Sequence, residues 1–458
     1  MEKLLSQLKK VFLVGIGGVG MSGLALLLHD KGIQVSGCDQ KASGNTELLL
    51  QKGMNIFIGH DENNLSPDID LVVYSSAVGK ENPLLKKAKM MNIAIVKRGE
   101  LLAYLCSQKQ TIAVSGSHGK TTTTALLSHI LQSLGYKPTV FVGGLPLNYS
   151  CGAWWGDDYF VVETDESDGS FLNLYPDISI ITNIDKEHLD HYSCMDNLKK
   201  SFFQFAAQTK KLVTGCADQP LVRDIIALNS GLSYGFSRDN NIRALNYSFK
   251  EGISSFDLNI NGEFVLKAEV PLVGSFNCLN TLAVFSVLHF LGIDLTKANQ
   301  ALKSFKGTKR RFQKKAEASG IVFIDDYAHH PTEIRSVIEA ARLMKPKRLV
   351  IVVQPHRYSR LKLLKDEFSR CFQGADFLIL TDVYGACESN TYGISSRELF
   401  EEAKKHFSGR IILIPRDQLC EKIPPVLVKG DLVLSLGAGD INTVMESIID
   451  EFKKIRIT

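Results

Sequence analysis

TIAVSGSHGKTTTT, residues 111–124, is a short apolar strand that breaks into glycines at Gly116 and Gly119 and then runs into Lys120 and four threonines. Strand, glycine turn, lysine, hydroxyl and helix follow one another as in a phosphate-binding loop. Backbone N–H groups of the turn and of the helix N-terminus cradle oxyanions, Lys120 neutralises them, and the Thr121 hydroxyl suits Mg²⁺. The general form of the motif, G-x-x-x-x-G-K-[ST], has four residues between its glycines, whereas here only Ser117 and His118 intervene. That spacing disfavours switch GTPases and motor ATPases and favours a nucleotide enzyme with a tighter loop. The competing reading is a chance Gly-Lys-Thr opening a helix.

A chain of 458 residues is too long for one core, and about 100–200 residues per domain points to three domains. With 45% hydrophobic and 22% charged residues it has the composition of an ordinary globular protein. The net charge of +4 is nearly balanced, without a block of five like charges, so neither nucleic acid nor an anionic membrane is an expected partner. Nine dispersed cysteines with no C-x-x-C pair fit a reducing cytoplasm better than a disulfide framework or a thiolate zinc site. Val11 to Leu28 is an uncharged run of eighteen residues. Five glycines within it suit a strand, a tight turn and a helix, not a membrane span or signal peptide, so no targeting segment is expected.

In the first domain, about residues 1–105, the apolar run Val11 to Val14 ends in Gly15-Ile16-Gly17-Gly18-Val19-Gly20. Gly15, Gly17 and Gly20 match the dinucleotide-fold fingerprint. A helix from Met21 to His29 and a strand from Gln34 follow, and Asp39 stands where an acidic residue would reach a ribose hydroxyl. Strands expected at Asn55–Ile58, Leu71–Tyr74 and Ala94–Val96 alternate with helical stretches, which implies a parallel doubly wound sheet. Three readings of the turn compete: hydride transfer with NAD, a nucleotide sugar held by its pyrophosphate, or glycines that only let helix and strand pack. The second nucleotide loop downstream favours the nucleotide sugar, since a dehydrogenase has no need of it.

The central domain, about 106–313, carries four carboxylates within six residues, Glu163, Asp165, Glu166 and Asp168, after a strand at Tyr159–Val162. They would repel one another unless a cation is present, and a hard divalent ion is the natural one; a solvated acidic turn is the alternative. A strand at Ile178–Ile181 leads into Thr182, Asn183 and His188. Because the carboxyl ends of strands converge on one crevice in an open parallel sheet, Lys120, Glu163 and His188 can share a site, with Mg²⁺ held by Thr121, Glu163, His188 and phosphate oxygens. Asn277 and Asn280 lie three apart on one helical face, where capping is the bland reading for Asn277. Lys309-Arg310-Arg311 is either a solvated turn or a source of an arginine for the transferring phosphate.

The third domain, about 314–458, repeats the parallel α/β pattern with strands expected at Ile321–Ile324, Leu349–Val353, Phe377–Thr381 and Leu432–Leu436. Two acids and two histidines follow the first of these, and His356, Arg357 and Arg360 follow the second, placing cations where a small carboxylate could dock.

Together, GIGGVGMSG at 15–23, SGSHGKTT at 115–122, ETDESD at 163–168, Thr182 and Asn183 with His188, Asn277 with Asn280, RRF at 310–312, DDYAHHP at 325–331 and QPHRYSR at 354–360 resemble, in order, the motifs of the Mur ligases. These are the ATP-dependent amide-forming enzymes of bacterial cell-wall synthesis, and the resemblance spans essentially the whole chain. It implies an α/β protein of three domains: a Rossmann-like N-terminal domain for a UDP-sugar, a central P-loop-type ATPase domain, and a Rossmann-like C-terminal domain that closes on ATP and the amino acid. It implies UDP-N-acetylmuramate and L-alanine as substrates, ATP and Mg²⁺ as cofactors, a cytoplasmic location, and a monomer or weak homodimer.

By the same resemblance Gly116, Ser117, His118, Gly119, Lys120, Thr121 and Thr122 hold the ATP phosphates, Glu163 and His188 join Thr121 on the metal, and Asn280, with Asn277 on its helix, meets adenine. Arg311 reaches the terminal phosphate, and Asp326, with His330 nearby, the ribose. Gly15, Gly17, Gly18, Val19, Gly20, Asp39, Ser75 and Ser76 are the expected UDP-sugar contacts, and His356, Arg357 and Arg360 the expected contacts of the alanine carboxylate. Two rival functions keep the same fold: a recycling ligase that joins the sugar to a tripeptide, and a nucleotide-binding regulator without turnover.

Overall fold

The structure, a computed structural model, describes residues 5–386 and 388–455. Cys387 and the outermost residues of the first and third expected domains lie outside them. Among the described residues all eight cysteines are free, and no helix is long and apolar enough to cross a membrane. The chain packs as two compact units. One runs to Asn246 and includes Asp257–Ala268 and Leu279–Lys306; the other comprises Tyr247–Phe256, Glu269–Cys278 and the chain from Gly307 on.

The first sheet is formed by β1 (Lys10–Val14), β2 (Gln34–Asp39), β3 (Asn55–Ile58), β4 (Leu71–Tyr74) and β5 (Ala94–Lys97). Its order is β3-β2-β1-β4-β5 and every pairing is parallel, so the expected doubly wound sheet is present. Val11 to Val14 are fully buried because helices cover both faces: Val11 and Leu13 join one apolar cluster, Phe12 and Val14 the other.

The second sheet takes β6 (Thr111–Ser115), β7 (Thr139–Phe141), β8 (Ala153–Trp154), β9 (Phe160–Glu163), β10 (Ile178–Ile181), β11 (Leu212–Cys216), β12 (Leu232–Gly235), β13 (Ile242–Lys250), β14 (Ile253–Ile260) and β15 (Glu263–Val270). Their order is β15-β14-β13-β12-β11-β10-β6-β9-β7-β8. The consequence for function lies at its middle. β6 sits between β9 and β10, parallel to both, with Val114 opposite Glu163 and Ser115 opposite Ile181. Three strands therefore release their chains at one level, and the glycine loop, the acidic loop and the segment from Thr182 to His188 all begin there. β14 turns into β15 through Asn261 and Gly262, and both residues have the positive φ (51° and 92°) that a two-residue hairpin turn requires.

In the second unit, β16 (Gln313–Ala318), β17 (Ile321–Asp326), β18 (Arg348–Val353), β19 (Phe377–Leu380), β20 (Arg410–Leu413) and β21 (Asp431–Leu436) form a sheet of order β16-β17-β21-β18-β19-β20. Only β16 runs antiparallel. One face packs on Ile334, Val337, Ile338, Leu361 and Phe368, the other on Ile441, Met445, Ile448 and Phe452, as two-sided burial of a parallel sheet demands. Asp326 ends β17, and the chain from Gln354 leaves β18.

Candidate active site

The loop after β6 is gripped on every side. Asn183 closes on its middle: its side-chain oxygen accepts from His118 N at 2.8 Å, its amide donates to His118 O at 3.0 Å, and its backbone oxygen accepts from Ser117 N at 2.9 Å. Thr182 Oγ1 donates to His118 O at 2.6 Å, and the His118 ring lies 2.9 Å from Asp185. Gly116, at φ 126°, has no room for a side chain, since a Cβ would run into Thr182. Gly119 caps the helix Lys120–Ser133 in the left-handed region (φ 84°), and a Cβ there would stand 2.5 Å from Asn280 Oδ1. Only glycine supplies that backbone at no cost. Asn280 also accepts from the buried Thr123 hydroxyl at 3.2 Å, which places this expected adenine contact behind the loop.

At the loop's exit Lys120 Nζ donates to Gly116 O and Ser117 O and sits 2.7 Å from Glu166 Oε1. Burial opposes its ammonium, but Glu166 outweighs that and, with Glu163 and Glu187 nearby, holds Lys120 above its ordinary pKa. Thr121 Oγ1 donates to Glu163 Oε1 at 2.7 Å, while Glu163 Oε2 accepts from Gly143 N at 2.6 Å. His188, at φ 56°, turns its ring to Glu166 Oε1 (3.6 Å) and Glu187 Oε2 (3.8 Å). Lys120, Thr121, Glu163 and His188 are thus brought together, with Glu166 as the group that touches both Lys120 and His188. Thr122 is buried on the first turn of the helix.

Glu166 was not singled out from its acidic neighbours by sequence. Its burial, 3% exposed, is the distinguishing fact, and Oε2 has no hydrogen-bond partner among the described residues. Asp165, the adjacent acid, faces away and pairs with Arg98 at 2.8 Å. Burial raises the Asp165 carboxyl, yet Arg98 and the hydroxyl and amide of Ser167 leave it below the ordinary carboxylate range.

The glycine turn after β1 is built differently. Gly15 N and Ile16 N donate to Cys38 O, and Gly18 precedes the helix Val19–Asp30 without any side-chain cap. Val19 is 55% exposed. Asp39 Oδ2 accepts from Gly17 N at 2.9 Å, so the acid expected at a ribose braces the turn as well. Ser75 follows β4 beside Gly15, accepting from Ala77 N at 3.3 Å, and Ser76 is exposed.

In the second unit Asp326 accepts from Phe312 N at 2.6 Å and Ala328 N at 2.7 Å, and burial pushes its carboxyl up to about 6 against the pull of Arg311. Arg310 is committed to structure, bound to Asp325, Gly437 O and Gly439 O. Arg311 lies over the Tyr327 ring at 5.1 Å and 3.9 Å from Glu333. His330 is buried at the head of the helix Pro331–Leu343, where Glu333 reaches back to its N–H. Asn277 donates to Val273 O at 2.8 Å, tying down the start of its helix. His356 is stacked on Tyr384 (5.7 Å, 8°) and bonded to Arg360 at 3.0 Å; burial, and then His329, Arg360, Arg357 and Arg310, drive its pKa down to about 3. His356, Arg357 and Arg360 form one cationic patch whose imidazole is neutral.

Three family models match the chain in succession: the Mur ligase family catalytic domain over residues 10–110, the Mur ligase middle domain over 114–288, and the Mur ligase glutamate ligase domain over 310–439. The chain belongs to the Mur ligase family. It is 40% identical over 451 residues to the UDP-N-acetylmuramate–L-alanine ligase of Aquifex aeolicus, covering 97% of this chain and 98% of that one. With the enzyme of the same name from Sorangium cellulosum it shares 41% over 455 residues, 96% of each. Among solved structures, the UDP-N-acetylmuramate-alanine ligase of Thermotoga maritima superposes with a TM-score of 0.84 at 29% identity, over 97% of this chain and 99% of that one. The murein peptide ligase of Psychrobacter arcticus shares the fold, with a TM-score of 0.71 at 22% identity and coverage of 97% and 99%.

Proposed function

We infer that the chain joins L-alanine to the lactoyl carboxylate of UDP-N-acetylmuramate, using ATP, in the synthesis of peptidoglycan precursors. The observation that carries this is identity of about 40% across nearly the full length with ligases named for that reaction. We assign residues 1–105 to the UDP-sugar, 106–313 to ATP and 314–458 to the amino acid and part of the nucleotide. The enzyme acts in the cytoplasm, where its nucleotide substrates are.

A carboxylate is a poor electrophile and must be activated. In the proposed sequence a carboxylate oxygen takes the γ-phosphoryl group and ADP leaves; the free amine of alanine then attacks the acyl carbon, phosphate departs with the shared oxygen, and the nitrogen loses its proton. Lys120 stands at the N-terminus of a helix and its ammonium carries three donors, so it is suited to hold the phosphates against the repulsion of the incoming carboxylate. The residues near it fit a magnesium ion: a hydroxyl and a carboxylate already 2.7 Å apart at Thr121 and Glu163, the His188 ring, and the buried Oε2 of Glu166. That ion, when bound, supplies charge neutralisation on the transferring group. For the remaining residues we propose nucleotide contacts at Ser117, His118, Asn277, Asn280, Asp326 and His330, a terminal-phosphate contact at Arg311, UDP-sugar contacts from the glycine turn with Ser75 and Ser76, and a carboxylate contact for alanine at Arg357 and Arg360 beside His356.

Mass analysis of the products tests this reading. ATP, Mg²⁺, UDP-N-acetylmuramate and L-alanine should give the alanyl sugar nucleotide with equimolar ADP and phosphate. Product with a tripeptide but none with alanine would assign the recycling reaction, and nucleotide binding without ADP in either mixture would make the chain a regulator.

A further inference from the structure

We propose that Arg98 is a positioning residue that ties the glycine turn at 15–20 to the acidic loop at 163–168, so that the UDP-sugar and the nucleotide bind to one connected element and reinforce each other. The inference rests on the UDP-sugar reading of that turn.

Arg98 opens the helix Arg98–Ser107 directly after β5, and its side chain is 11% exposed. Its two terminal nitrogens serve different regions. Nη2 lies 2.8 Å from Asp165 Oδ2 and 3.5 Å from Asp168 Oδ2. Nη1 lies against Gly20, so close that a Cβ at that position would stand 2.5 Å from it. No acceptor among the described residues takes a hydrogen bond from Nη1. The guanidinium therefore fills the space a side chain at 20 would take, beside the first turn of the helix Val19–Asp30, where an anion gains from free N–H groups. The next residue, Gly99, is pressed onto the end of the acidic loop, where a Cβ would meet Ser170 Cβ at 2.7 Å.

The acidic loop continues the connection. Asp165 is fixed by Arg98 and by the amide and hydroxyl of Ser167, and Asp168 accepts from Ser170 N. Between them Glu166 points the opposite way and holds Lys120 at 2.7 Å. A planar fork with five fixed donors can contact a pyrophosphate and a carboxylate at once, which a single ammonium cannot do with the same geometry. An anion on Nη1 orients the guanidinium that fixes Asp165, and Asp165 sets the backbone that aims Glu166 at Lys120. By linkage the reinforcement is reciprocal.

Calorimetric titration of the full chain with the β,γ-imido analogue of ATP and Mg²⁺, with and without saturating UDP-N-acetylmuramate, measures this directly, together with the reverse titration. The expected wild-type result is a tightening by the same factor in both directions, about fivefold or more. Arg98→Ala should bring that factor to within about twofold of one, Arg98→Lys should retain part of it, and Asp165→Asn should remove it while leaving the affinity for the UDP-sugar alone unchanged. A merely structural arginine would lower the melting temperature without altering the factor. If Arg98→Ala fails to fold, the lysine and Asp165 variants decide. Wild-type coupling preserved in Arg98→Lys and Asp165→Asn, or no coupling in the wild type, overturns the proposal. A wild type that binds the ATP analogue but not the UDP-sugar overturns the functional reading along with it.

Discussion

The turns at 15–20 and 116–120 have the same local plan, a buried strand that breaks into glycines and feeds a helix N-terminus, yet they are supported in different ways. The first is less enclosed: no side-chain cap, Asp39 on Gly17 N, Asn45 on Gly17 O, Arg98 beside Gly20, a half-exposed Val19, and no lysine in the turn. The second is enclosed by Thr182, Asn183, Asp185 and Asn280, and its lysine is matched by the buried Glu166. Common to both is a helix N-terminus, which favours phosphate. Reactivity is added by what surrounds it, because a pyrophosphate that only has to be held needs few partners, while a phosphoryl group in transfer needs preorganised charge in a site shielded from water.

Substitutions at the two turns should therefore differ in kind. The largest expected effect is at Lys120. Lys120→Ala should lower kcat on the order of 10³-fold and also cost about 3 kcal/mol in denaturant unfolding, because Glu166 is left buried without its partner. Adding Glu166→Gln should recover stability and not turnover, separating the charge pair's two roles. Next comes glycine replacement. Gly119→Ala forces alanine to φ 84° against Asn280 and should destabilise by about 2 kcal/mol. Gly18→Ala should stay within about 0.5 kcal/mol, since Gly18 has φ −65° and its nearest obstacle is Gly15 O at 3.6 Å. Equal losses at both glycines would erase the contrast between the turns.

Asp39→Asn is milder. Loss of the charged acceptor on Gly17 N should raise the KM for UDP-N-acetylmuramate about tenfold, equivalent to about 1.4 kcal/mol, with ATP affinity unchanged. A pH dependence distinguishes two acids. Asp165, held below its ordinary pKa, adds stability above about pH 4 that is lost as the pH falls through its folded value. Asp326 has the opposite sign. Its folded pKa of about 6 lies above the unfolded value, so the folded state keeps a proton that the unfolded state releases, and its contribution fades as the pH rises from about 4 to about 6. Asp326→Asn should flatten the stability profile in that window by about 1 kcal/mol per pH unit, read from urea midpoints.

Most buried strands were legible in the sequence because a parallel strand covered on both faces is a continuous apolar run; Val11–Val14, Ile178–Ile181 and Leu349–Val353 all read that way. β13 and β15 were not, because half-exposed stretches such as IRALNYSFK and EFVLKAEV carry no such run. At the site, Lys120, Thr121, Glu163 and His188 were visible from motif spacing and from their place at strand ends. The inward turn of Glu166 was hidden: four acids within six residues look alike until the loop folds, and Arg98, distant in sequence, takes Asp165 to the other side. The Arg98 contact itself has no local signature, since it depends on the space left by Gly20.

If the phosphate loop activates the carboxylate of the sugar nucleotide by phosphoryl transfer, one oxygen of that carboxylate leaves with the phosphate. UDP-N-acetylmuramate carrying ¹⁸O in both lactoyl carboxylate oxygens, turned over with ATP, Mg²⁺ and L-alanine, tests it most directly when the released phosphate is analysed by mass. One ¹⁸O should appear in each phosphate and the other in the new amide carbonyl. Unlabelled phosphate formed alongside the alanyl product would contradict it.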